Sequence, residues 1–140
     1  MNNSPGIPRQ LVVSAALTFI AFFIWIVVIA DEGNGTPWWS FIDRIPYGDK
    51  AGHLCLIGTM SFLCNLAFRA RRPAFLPVFI TATSAVLLVL LTAEELSQAF
   101  IKTRHLDLFD WLADLAGLGI GQFCAMKFSR FLKSPATTAP

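Results

Sequence analysis

Between Ala93 and Leu115 the sequence carries a polar island, EELSQAFIKTRHLDLFDWLAD (Glu94 to Asp114), in a chain that is 55% hydrophobic and 14% charged. Ionisable side chains are costly to desolvate, so this concentration implies that they meet water or one another. On a helix Glu95 and Gln98 are three residues apart, and Asp107, Asp110 and Asp114 step by three and four along one face. Arg104 lies between the two sets. Upstream, Asp49 and His53 are one helical turn apart at the start of another apolar run. These residue types suit acid–base chemistry. In that reading Asp49 orients His53 and raises its basicity, His53 moves a proton, and Glu95 or Asp110 is the second acid or base. Gln98 hydrogen-bonds the substrate, Arg104 holds an anionic group such as a phosphate, and Asp114 completes the binding set. A divalent cation on the hard oxygens of Glu95, Asp107, Asp110 and Asp114 is a variant of the same idea, although no metal ligand is assigned and the residues specify no cofactor. The competing reading is structural, with the same groups forming a salt-bridged lock between helices.

The elements that must position these groups are apolar. The chain has 140 residues, a mean hydropathy of +0.60, Phe 13 and Trp 4, enough for one domain. Apolar windows run over Leu11 to Ala30, Cys55 to Ala70 apart from Arg69, Ala74 to Ala93 and Leu115 to Met126. A helix of 20 residues is about 30 Å long, the thickness of a bilayer core. The expected fold class is therefore all-α, an integral membrane bundle of four transmembrane helices. Cytoplasmic tails are expected over 1–10 and 134–140, with the four-helix domain over 11–133. A cleaved signal segment ending at Ala30 is the alternative for the first window, whose apolar stretch is longer than a usual signal core.

Topology is read from the basic residues. Arg9, Arg69, Arg71, Arg72, Lys127, Arg130 and Lys133 fall on one side, against Arg44, Lys50, Lys102 and Arg104 on the other. The positive-inside rule then places both termini in the cytoplasm and every candidate chemical group at the outer face. The loop after the first helix carries Trp38, Trp39, Phe41 and Tyr47, which suit the headgroup level. Ala113, Gly117, Gly121 and Ala125 recur at steps of four, a smooth stripe for close helix approach, and GLGIG lacks the lysine and hydroxyl of a phosphate loop. Cys55, Cys64 and Cys124 are an odd set inside apolar windows, which argues for structural thiols.

DKAGH (Asp49, Lys50, His53), EELSQAF (Glu95, Gln98, Phe100), RHLDLFD (Arg104, Asp110) and DLAGLGIG (Gly117, Gly121) occur in that order. Together they resemble the pattern of the VanZ-like family of small bacterial membrane proteins, related to a teicoplanin resistance protein. Asp114 stands where that family commonly has asparagine. The resemblance covers Tyr47 to Gln122 and implies a multi-pass protein of the bacterial cell membrane (the inner membrane), acting at its outer face in the cell envelope. Its implied roles are envelope-lipid binding or lipoglycopeptide antibiotic resistance, or, as the alternative, acid–base catalysis on a lipid phosphate or peptidoglycan precursor. The implied partners are membrane lipids and a lipid-linked precursor or lipoglycopeptide, with no nucleic acid.

Overall fold

A computed structural model describes residues 7–33, 44–77, 79–104 and 106–133. They form four helices, α1 (Arg9–Asp31), α2 (Gly48–Ala67), α3 (Ala82–Gln98) and α4 (Leu108–Lys133). Each boundary has a local cause. Pro8 precedes α1, and its carbonyl accepts from the Leu11 and Val12 amides. Tyr47, in the left-handed region at φ 61°, turns the chain into α2, whose first turn holds Asp49 beside the positive end of the helix dipole. The same helix closes on Arg69 and Ala70, at φ 59° and 45°. There the Ala70 amide reaches back to the Asn65 carbonyl at 2.7 Å, a closure usually left to glycine. Thr81 caps α3 by accepting from the Ser84 amide at 3.1 Å. At α4 the Asp107 carboxylate accepts from the Phe109 amide at 2.8 Å.

The helices run up and down, so α2 and α4 are parallel. Lys50 meets Asp110, His53 meets Asp114, Ser61 donates to the Leu118 carbonyl and Phe62 packs edge-on to Phe128. Their backbones approach closely because Gly117 and Gly121 of α4 carry no side chain where they meet α2. A Cβ on Gly117 would lie 2.5 Å from the Leu54 carbonyl oxygen, and one on Gly121 would overlap the Gly58 carbonyl. Ile57, Met60, Cys64, Leu87, Leu91 and Leu118 fill the interior, with Ala16 bringing in α1. At the end of the bundle near the α2–α3 linker the interior is polar. Asn65, Ser61, Thr81 and Ser84 are all 0–2% exposed and bond to one another, and Gln122 ties Thr81 and the Phe79 carbonyl to α4. Every member finds a partner, which is the condition for burying such groups.

This architecture corrects the expectation of four membrane spans. Among the described residues only α1 is long and apolar enough to cross a membrane. The third window fails because Pro73 and Pro77 sit in a loop that ends only at the Thr81 cap, leaving an α3 of 17 residues that ends in Glu94, Glu95 and Gln98. The stripes of α2 and α4 are interrupted by ion-paired and hydrogen-bonded side chains that face each other inside the bundle. The four-span, multi-pass placement and the topology built on it are withdrawn with that count. Trp38, Trp39 and Phe41, expected at an interface, lie outside the described residues, as do residues 1–6 of the expected N-terminal tail and the expected tail at 134–140.

Candidate functional site

The parallel packing of α2 and α4 brings their first turns together. Lys50 and His53, three residues apart on α2, both look across at α4. Lys50 Nζ is a hub, donating to Asp49 at 2.8 Å, Asp107 at 3.1 Å and Asp110 at 2.9 Å. Those three carboxylates hold its pKa above the ordinary lysine value, Asp49 contributing most. Asp49 is itself held below the usual carboxylate range, chiefly by its bond to Lys50.

His53 sits one turn deeper. Its Nδ1 is 3.0 Å from Asp114 Oδ1, and its Nε2 is 4.0 Å from Asp110 Oδ2. The Asp114 side chain is 3% exposed, whereas that of His53 is 30% exposed, so the imidazole keeps an open edge over a buried carboxylate. Burial disfavours the imidazolium, but the Asp114 hydrogen bond and the charges of Asp114, Asp110 and Glu95 outweigh it, and the His53 pKa is raised.

Glu95, buried on α3, accepts from the Asp107 amide at 3.0 Å and from Gln98 Nε2 at 3.1 Å. Burial raises its pKa against the opposing Asp107 amide. Gln98 also donates to Glu94. Burial raises the Glu94 pKa as well, with Arg104 opposing. Arg104 lies between Glu94 and Asp31, 3.6 Å from each, and Thr103 Oγ1 donates to the Asp31 carbonyl at 2.6 Å. These contacts clamp the end of α1 to the loop between α3 and α4.

All the residues singled out from sequence thus lie at one end of the bundle, in two linked groups. Asp49, His53, Asp110 and Asp114 gather around Lys50 and the α2–α4 seam. Arg104 belongs to a second group with Glu94 and Asp31, joined to the first through Gln98 and Glu95. Asp49 does not touch His53 in the structure. The carboxylate at the imidazole is Asp114, 61 residues away in the chain. Sequence reasoning gave no site role to Lys50, although its three-residue step from His53 already placed both on one face. Glu94 and Asp31 carried no comparable signal, because their meeting at Arg104 is set by the bundle and not by spacing. Among the described residues no group of three or more His, Cys, Asp or Glu side chains is arranged to hold a metal ion.

Against known proteins, the chain matches no family model, no curated protein and no solved structure. The VanZ-like assignment is corrected accordingly. Its motifs rest on short stretches, and the four-span architecture that it implies reduces to one candidate helix. The expectations that depended on it fall together: action at the outer face of a cell membrane, lipoglycopeptide resistance, chemistry on lipid-linked precursors, and lipid partners.

Proposed function

We propose that the Lys50–His53–Asp114 end of the bundle is the proton-transfer centre of an enzyme acting on a small polar substrate. His53 is the proton carrier, Asp114 orients it through Nδ1, and Nε2 is the nitrogen that exchanges with substrate. Asp110, on the Nε2 side, and Glu95, whose carboxyl pKa is raised by burial, supply the second acid or base. Lys50 fixes Asp49 and Asp110, Gln98 fixes Glu95, and Arg104 completes the charged wall toward α1. The observation that carries this reading is an imidazole with one nitrogen on a buried carboxylate and an accessible edge. A histidine so placed has its tautomer set and its basicity raised, as a general base requires.

A second reading has its own observation: one ammonium on three carboxylates is an effective clasp between α2 and α4. One experiment separates the two. In a His105→Gln background, His53 is acylated with diethyl pyrocarbonate across pH, with and without Asp114→Asn. The proton-transfer reading expects a sigmoidal rate with a midpoint above 6.5, the ordinary histidine value, moving down when Asp114 is neutralised. Turnover of a panel of small esters, amides and phosphoesters should then fall on the order of 100-fold in His53→Gln, with thermal stability unchanged at alkaline pH, where the His53 ion pair no longer contributes. An imidazole unreactive at every pH, or lost stability with no turnover in the parent, would leave only the clasp.

A further inference from the structure

The opposite end of the bundle has a different chemistry. A groove of about 270 Å³ is lined by Arg72, Phe123, Met126, Lys127 and Arg130. We propose that it binds a small organic phosphate, a site separate from the proton-transfer centre. Three cationic residues are among those that border it, and none of them is in an ion pair among the described residues. No described acidic side chain lies at this end, since all of them belong to the α1 C-terminus, the starts of α2 and α4, or the end of α3.

Two of these cations are also placed in advance. The Arg72 guanidinium rests on the Met126 sulfur, and Lys127 Nζ lies 5.4 Å from the centroid of the Phe123 ring. The turn that delivers Arg72 is strained and pinned. Arg69 and Ala70 are consecutive non-glycine residues at positive φ, and the Arg71 carbonyl accepts from the Ala82 amide at 2.9 Å. Gln122, from α4, holds the Phe79 carbonyl at 2.8 Å. Backbone strain of this kind persists only where the surroundings over-determine it, and it concentrates at functional segments.

These features specify the ligand class. Two guanidinium forks and an ammonium, with no competing carboxylate, suit a phosphate dianion better than a monocarboxylate. Phe123, 56% exposed, together with Met126 offers an apolar floor for the group esterified to it. The volume lies just below the roughly 300–1,000 Å³ of drug-sized pockets, so the ester is small.

The test is calorimetric titration of the full chain with phenyl phosphate and with inorganic phosphate. Phenyl phosphate is expected to saturate one site and to bind more tightly than phosphate. Arg72→Gln and Arg130→Gln should each weaken it about tenfold, the scale of one charge-assisted hydrogen bond. Phe123→Leu should remove the preference for the phenyl ester, bringing its affinity to that of inorganic phosphate. All three positions are exposed, so an unchanged melting midpoint certifies the fold of each variant. Absence of saturable binding, or variants that bind like the parent, would overturn the proposal. So would association with anionic lipid vesicles without saturable phenyl phosphate binding.

Discussion

At the scale of single residues, His53 decides how the acidic end behaves with pH. Its folded-state pKa is raised, so its ion pair contributes stability that is fully present below about pH 6.5 and is lost as pH rises through the folded value. Histidine-detected NMR titration should therefore report a midpoint above the ordinary one. In Asp114→Asn that midpoint should drop, since burial then acts with one opposing partner fewer. Thermal midpoints should fall between mildly acidic and alkaline pH in the parent, and this slope should flatten in His53→Gln. Glu94 and Glu95, with raised carboxyl pKa values, tilt stability the same way, because the unfolded chain gives up their protons first. That this end is ionic was legible in the sequence, since the residues are plainly visible as a polar island. The pairing was not. Asp49 is the helical neighbour of His53, yet Lys50 claims it, and a carboxylate 61 residues away takes its place. Local spacing describes one helix face and is silent on what another helix brings to it.

Among elements, the α2–α4 seam is the most demanding contact. Gly117→Ala and Gly121→Ala should each cost about 1–3 kcal/mol, because a Cβ meets the α2 backbone and backbone cannot step aside as a side-chain tip can. Gly119→Ala meets nothing within 4 Å and should stabilise the helix by up to about 1 kcal/mol. Urea denaturation of the three variants checks the contrast. Asn65→Ala, at the far end, takes one hydrogen-bond partner from each of the buried Thr81 and Ser84 hydroxyls and should cost about 1–3 kcal/mol. The small-residue stripe announced the seam in the sequence, and the apolar windows located the helices approximately. What misled was counting apolar residues without asking which face they occupy. Pro77 lay inside a window that looked continuous, and the hydroxyls and amides that fill the α2–α3–α4 interior looked like minor interruptions of membrane-spanning stripes.

For the whole molecule, two surfaces set its conduct in solution. Large apolar side chains face outward from α1 and α3, among them Leu17, Phe22, Trp25, Val86, Val89 and Leu90, each at least 44% exposed. Exposed apolar surface of this extent drives association. The isolated chain should therefore elute as large species in plain buffer and as one defined species in mild detergent, measured by light scattering. The second surface is electrical. Of nine acidic residues, all but Asp43, which is outside the described set, lie at the His53 end, while Arg69, Arg71, Arg72, Lys127 and Arg130 occupy the other. A formal net charge of +2 conceals this separation. The protein should bind cation and anion exchange resins alike at neutral pH and low salt, held by opposite ends. On a positively charged resin it would stand with its aspartates down and the Arg72 groove facing the liquid, so the choice of column would select which end of the molecule is left free to react.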